Sequence, residues 1–384
     1  MRIAHVALHF AEYAFALSLE LARDHDVLLV LEKQNFRDEL GDEYLADLPE
    51  RLSVRFIEHA PSPRAVLNNA RELVRLVEDF RPDVLHAQEV MRDAFFLAML
   101  RLRRHPFVLT VHDPKPHTGT DFRAHHLQRH GIYVRLHRRR CDWAIVHGSQ
   151  LVKDLVKDTP RLRGRVSPVA HGVLGALPAD TQRAAQEMGT LLFFGRLEAY
   201  KGLEDFVAAV ETIDTSQNVT AIIAGRGPAL DPVRERVMRN PRFEVINHYL
   251  SRREVINVFD RAQVIVQPYR DATQSGVSLM AIGRARAVVA TDVGSLSEVV
   301  RHGDNGLLVP PERPDLLART LAEVLVQDRT PKFEDGARRL SATTFNWTRI
   351  ADQHVEVYGR AVRAWAEGRV RRSTHSGGAK SGSR

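Results

Sequence analysis

The chain has 384 residues, 44% of them apolar, with a formal net charge of +7 and a pI of about 9.7. A single cysteine, Cys141, excludes an internal disulfide and suits a reducing, cytoplasmic setting. The longest apolar runs, such as AFFLAML, fall far short of the roughly 20 residues of a membrane span, and the opening MRIAHVALHF reads as a strand rather than a cleavable leader.

This length predicts two domains. Both halves alternate short β-rich apolar runs with helical periodicity. The strands predicted in the first half are RIAHVAL, DVLLVLE, DVLHAQ, FVLTVHD, WAIVHGS and VSPVAHG, with helical patterns such as RAVLNNARELVRLVEDF between them. LGALPADTQRAAQEMG reads as a linker, and the second half follows with TLLFFG, VTAIIAG, FEVIN, QVIVQP, AVVATD and GLLVP. Near-continuous apolar strands separated by helices imply parallel sheets covered on both faces. The expected class is α/β: two doubly wound, Rossmann-like domains, residues 1–172 and 173–345, facing across a cleft. A helix over 346–366 is expected to pack back toward the first domain. The basic, low-complexity end, 367–384, reads as a disordered tail.

The positive balance favours anionic partners. It is concentrated in residues 121–140, where six arginines and four histidines stand against one aspartate. Phe122, Leu127, Ile132, Tyr133 and Leu136 interleave with these charges as in an amphipathic helix. Arg138, Arg139 and Arg140 are candidates for holding an anionic membrane face; the alternative is a solvated helix face. No nucleic-acid-binding module is recognisable, so nucleic acid is not an expected partner.

Two segments carry candidate chemistry. In FFGRLEAYKGLEDFVAAV, Gly195 and Arg196 follow a strand, and Lys201 and Gly202 open a helix whose apolar face is Leu203, Phe206, Val207 and Val210. Both cations therefore sit near a strand's carboxyl end, where ligands bind in doubly wound folds. In YRDATQSGVSLM, small polar residues and Gly276 lie between the strand VIVQP and a helix start. Free amides and the positive helix end favour an anion there. The segment equally fits a plain βα turn with Ser275 as N-cap.

The order and spacing of FFGRLEAYKG, AIIAGRGPAL, LSRREVINVFDRAQVIVQPY, TQSGV, AVVATDVGSLSEVVRHGDNGLLVPP and FNWTRIADQHVEVY resemble the retaining nucleotide-sugar glycosyltransferases of family 4, which have the GT-B fold. The first half is similar more loosely, through RPDVLHAQ, VLTVHD, CDWAIVHGSQ and VAHGV. The resemblance implies an acceptor-side first domain and a nucleotide-sugar-binding second domain. It implies that Arg196 and Lys201 hold the donor diphosphate beside Gly195 and Gly225. Thr273, Gln274, Ser275, Gly276 and Val277 would cradle the distal phosphate, and His248, Tyr249 and Leu250 would contact the base. It also implies that His112, ending a strand, lies by the reaction centre; His147 and His171 end neighbouring strands.

The sequence departs from the family in two places. The usual Glu-x7-Glu carboxylates fall at Ala272 and Met280, as in a subset with an ATQSGV-type loop, leaving Asp271 as a candidate for contacting the sugar. The first βα loop, LHFAEYAF, has no glycine, so close backbone approach is expected to be hindered. Asp24-His25-Asp26 precedes a strand, the wrong end for chemistry, and no Cys/His cluster has metal spacing. The expectation is therefore a metal-independent, cofactor-free hexosyltransferase acting on a glycan, glycolipid or polysaccharide precursor. It would be cytoplasmic, with peripheral contact at the inner membrane face. The alternatives are a nucleotide-sugar-binding protein without transferase activity and a GT-B epimerase, whose acid/base carboxylates are not identifiable from the sequence.

Overall fold

Two sets of strands alternate their side chains between two apolar layers, so each is buried on both faces. In the first, Ala4, Val6 and Leu8 enter one core while Ile3 and Ala7 enter another. In the second, Leu191 and Phe193 face one side and Leu192 the other. The computed structural model describes residues 1–89, 93–114, 129–176, 183–214, 218–272 and 275–377. The strands of the first sheet are β1 (Arg2–Ala7), β2 (Asp26–Glu32), β3 (Leu52–Ile57), β4 (Val84–Gln88), β5 (Phe107–Thr110), β6 (Trp143–Val146) and β7 (Val166–Pro168). Those of the second are β8 (Thr190–Phe194), β9 (Thr220–Ala224), β10 (Phe243–Ile246), β11 (Val264–Gln267), β12 (Ala287–Thr291) and β13 (Gly306–Val309).

Their orders are β3-β2-β1-β4-β5-β6-β7 and β10-β9-β8-β11-β12-β13, parallel throughout. In each, the central strand has a crossover on either side. The order reverses between β1 and β4 and between β8 and β11, and those switch points open crevices at the strands' carboxyl ends. The sequence reading missed β3, whose half-exposed edge position lets Ser53 and Arg55 break the apolar run.

The chain crosses back at its end. In the helix Trp347–Gly377, Ile350, Ala351, Val357, Tyr358 and Ala361 are buried in the first domain's core. Its backbone stays helical past residue 367, into the stretch read as tail, and residues 378–384 lie outside the described ones.

The first domain's core contains a hydrogen-bonded histidine network. His5 Nδ1 meets Ser18 Oγ at 2.9 Å and its Nε2 meets Gln88 Nε2 at 2.8 Å. His86 joins Thr110 Oγ1 at 2.8 Å and the Tyr358 hydroxyl at 2.9 Å, and His354 meets the Tyr13 hydroxyl at 3.0 Å. Burial pushes His5 down to about 3 and His171 and His354 down to about 4, and holds His86, His112 and His147 well below the ordinary value. These rings are therefore neutral in the folded chain but would protonate near pH 6.5 when unfolded. Their contribution is complete above about pH 6.5 and is lost as the pH falls toward the folded values, by up to about 1.4 kcal/mol per histidine per pH unit. Urea midpoints should fall steeply between neutral pH and pH 5; a flat profile over that window would contradict neutral burial.

Candidate functional site

Lys201 ends a short 3-10 turn, Ala199–Lys201, after β8, and is only 8% exposed. A lysine ammonium is costly to bury without a counter-charge, yet no ion pair joins it to a carboxylate among the described residues. Its Nζ lies over the ring of Tyr269, 5.3 Å from the centroid, and against the backbone of Gly195. A Cβ at Gly195 would stand 2.5 Å from that Nζ, and its φ of +116° suits glycine alone. The buried Tyr269 hydroxyl has no hydrogen-bond partner among the described residues.

Lys201 and Tyr269 line a cavity of about 300 Å³ together with Ser275, Gly276 and Val277, at the amino end of the helix Gly276–Gly283. Ser275 occupies the N-cap position but its side chain does not cap. Its Oγ instead accepts from Gln267 Nε2 at 2.7 Å, while Ser278 Oγ donates to Gln267 Oε1 at 2.6 Å. Gln267, the last residue of β11 and fully buried, thus holds both hydroxyls and leaves the first-turn amides free of a side-chain cap. The reading of Ser275 as an N-cap is corrected accordingly. Gln267 was missed; its signal is a polar residue closing the apolar run VIVQ.

Leu174, Phe194 and Met280 separate this cavity from a larger one of about 430 Å³ between the two domains, and line both. On the second-domain side the larger cavity is lined by Gly195, Arg196, Gly225, His248, Tyr249 and Leu250. Tyr249 is 74% exposed there, and His248 Nε2 meets Glu254 Oε1 at 2.9 Å. Gly225 allows β8 and β9 to converge, since a Cβ would fall 1.9 Å from the Gly195 carbonyl oxygen. Ala272 lines the small cavity, so the positions of the family's carboxylates present a methyl group and a thioether. Asp271 is half-buried and is not among the residues lining either cavity. Thr273 and Gln274 lie outside the described residues.

From the first domain come His9, Phe10, Glu12, Tyr13, Glu39 and His171. Phe10 has φ 62° and ψ 47°, the left-handed conformation that glycine would adopt without cost. The glycine-free loop therefore makes a glycine-type turn and projects a ring into the cleft. That ring stacks on His112 at 3.9 Å between centroids. His112 thus lies behind Phe10 and is not among the cavity's lining residues, contrary to the expectation of a cleft position. Its Nε2 meets Gln88 Oε1 at 2.8 Å.

The fold brings His112, His147 and His171 together, one ring nitrogen of each within 4.8 Å of the others. No linear spacing discloses that trio. Tyr13 packs on all three rings, with centroids 5.3, 5.2 and 4.7 Å away, and the buried His147 Nε2 has no hydrogen-bond partner among the described residues. Asp26 opens β2 and lies 3.7 Å from Arg2, at the opposite end of the sheet from the cleft.

Carboxylates, not identified from the sequence, do line the cleft. Glu12, 9% exposed, takes both Arg252 guanidinium nitrogens at 2.5 and 2.7 Å and the Gly175 amide at 2.7 Å. This bidentate pair joins the first helix of one domain to the helix Arg252–Arg261 of the other. Glu39 accepts from the Glu12 amide at 2.9 Å, and burial raises its carboxyl above the usual range.

Two family models match in tandem: Glycosyltransferase Family 4 over residues 11–173 and Glycosyl transferases group 1 over 189–327. The chain is 27% identical over 294 residues to a glycogen synthase of Mycobacterium tuberculosis, covering 74% of this chain and 70% of that one. It is 29% identical over 265 residues to the D-inositol 3-phosphate glycosyltransferase of Corynebacterium efficiens, covering 61% and 62%. Among solved structures, Anabaena HepE in complex with UDP superposes with a TM-score of 0.67 at 17% identity, over 94% of this chain and 100% of that one. Sucrose-phosphate synthase from Thermosynechococcus elongatus superposes at 0.70, also at 17% identity, over 95% and 100%. The chain belongs to the family-4 glycosyltransferases and has their GT-B fold.

Proposed function

We propose that the protein transfers a hexose, with retention of configuration, from a nucleotide-diphosphate sugar to a hydroxyl of a glycan, glycolipid or polysaccharide precursor. One observation carries this reading: a buried lysine, without a carboxylate partner among the described residues, shares a small cavity with an uncapped helix start. A diphosphate supplies the missing negative charge to both. HepE, similar in fold, is described with UDP-glucose, which supports a donor of this class. The base and ribose would lie along Gly225 and His248–Leu250, and the diphosphate between Arg196 and Lys201. Charge builds on the diphosphate as the glycosidic bond breaks, so donors fixed in advance at that point stabilise the transition state. The acceptor hydroxyl would enter from the first-domain side and attack on the face the diphosphate leaves. The Glu12–Arg252 clamp would keep water from the donor. The loop carrying Ala272, with the helix start that follows it, is assigned to the ATQSGV-type subset.

A second reading, binding of the nucleotide sugar without transfer, is favoured by Ala272 and Met280, which offer the sugar no carboxylate. Acceptor-dependent release of nucleotide separates the two.

Lys201→Met, which keeps the side chain's volume in a buried site, and Arg196→Ala should each lower turnover at least about a hundredfold, as for loss of one transition-state donor. Wild-type turnover in either variant would remove these residues from the diphosphate site. Neutralisation by Arg196, Lys201 and helix amides makes a divalent ion dispensable, so turnover should survive EDTA. Loss with EDTA and recovery with magnesium or manganese would contradict this.

A further inference from the structure

A second concavity, of about 1140 Å³, lies away from the cleft and is lined by eight arginines and a single aspartate. Its charges come from the amino ends of three adjacent strands: Arg103 and Arg104 before β5, Arg139 and Arg140 before β6, and Arg163 and Arg165 before β7. The cleft opens at the carboxyl ends of the same sheet. Among the described residues, Arg103, Arg139, Arg163 and Arg165 make no ion pair, and Arg104 reaches only Glu78, at 3.6 Å. The Arg140 guanidinium donates to the Leu102 carbonyl at 2.7 Å, and its Nε is buried without a partner among the described residues. So dense a set of like charges, unneutralised, is a site for anions. Arginine forks suit phosphate in particular.

The arginine run at 138–140 is not the solvated triad that its sequence suggests. Arg138 is 4% exposed and is held by Glu89 at 2.8 Å and Asp158 at 3.0 Å, so it belongs to the fold. What borders the groove instead is apolar. The helix Asp93–Arg101 exposes Leu97 and Leu100 beside Arg101, and the helix Arg129–Arg140 exposes Ile132 and Leu136 on the face that ends at Arg139. Helical spacing puts each set on one stripe. The two helices pack together through Phe96 stacked on Tyr133 at 4.2 Å, and Leu136 itself lines the groove. Ile132 is 59% exposed and Leu100 45%. Each crossover helix runs from the carboxyl toward the amino end of the sheet, so this ridge climbs from the groove toward the cleft side.

A soluble polyanion would satisfy the arginines but leave the ridge in water. A bilayer interface accepts both, with phosphates at the headgroup level and aliphatic side chains just beneath. We propose that this face of the first domain binds an anionic phospholipid surface, with headgroup phosphates in the arginine groove and Leu97, Leu100, Ile132 and Leu136 in the interfacial layer. The site is separate from the cleft and does not depend on the donor reading.

Flotation with phosphatidylcholine vesicles, with and without phosphatidylglycerol, tests it. The wild type should float only with the anionic lipid, and less as salt rises. Arg103→Gln, Arg139→Gln and Arg163→Gln together, all exposed, should weaken binding on the order of a hundredfold, because each basic residue near an anionic leaflet contributes about fivefold. Leu97→Ser with Ile132→Ser should lower vesicle binding while leaving retention on immobilised heparin unchanged. Absence of wild-type binding to anionic vesicles at low salt overturns the proposal. So does undiminished vesicle binding by the serine variant, which would make the groove a site for soluble polyanions.

Discussion

An ammonium group taken out of water needs an anion, and among the described residues no carboxylate pairs with Lys201. Several local features follow from that constraint. Gly195 has a φ of +116°, which suits glycine, and its missing Cβ leaves the Nζ room to sit against the backbone. Gln267 holds Ser275 and Ser278 by their hydroxyls, so the helix behind them presents uncapped amides to the same cavity. The stretch Pro268–Ala272 and the turn Ala199–Lys201 meet, the Arg270 amide donating to the Tyr200 carbonyl at 2.7 Å, because β8 and β11 are neighbours at the switch point of the second sheet. A sheet order and a handful of polar contacts thus leave a positively charged pocket for a ligand to neutralise.

The first domain bounds the larger cavity next to that pocket, and its closure is ionic. Glu12 binds Arg252 with both oxygens and caps the Gly175 amide, tying both domains and the start of the linker to one carboxylate. Phe10 stays left-handed beside it, a conformation that costs an L-residue about 1–2 kcal/mol. Its ring lines the cleft and stacks on His112. The neutral histidines beneath put no positive charge of their own near the cleft, and Arg196 at the larger cavity and Lys201 at the small one both belong to the second domain.

Much of this was legible in the sequence because it is written in apolar periodicity. Twelve strands follow runs such as DVLLVLE and QVIVQP, and the order of the motifs around Gly195, Lys201 and Gly276 pointed to a GT-B chain. The rest was hidden for physical reasons. β3 is a half-buried edge strand whose arginine breaks the pattern. Glu12 looks like any helical acid until Arg252, distant in sequence, is set opposite it. A glycine-free loop suggested that the backbone would keep its distance, but a left-handed Phe10 has no composition signature. The histidine trio is gathered from three strand ends that only the sheet order makes adjacent.

The central claim is that the small cavity takes a diphosphate through Lys201 and the helix amides. Calorimetric titration of uridine, guanosine and adenosine diphosphates, each against its own nucleoside, tests it most directly in the wild type and in Lys201→Met. The account predicts that one diphosphate binds far more tightly than its nucleoside. Lys201→Met should remove most of that difference, by about tenfold to a hundredfold as for loss of a charge-assisted contact, and leave nucleoside binding unchanged. Equal affinity for diphosphate and nucleoside in the wild type, or an unchanged difference in Lys201→Met, would contradict it.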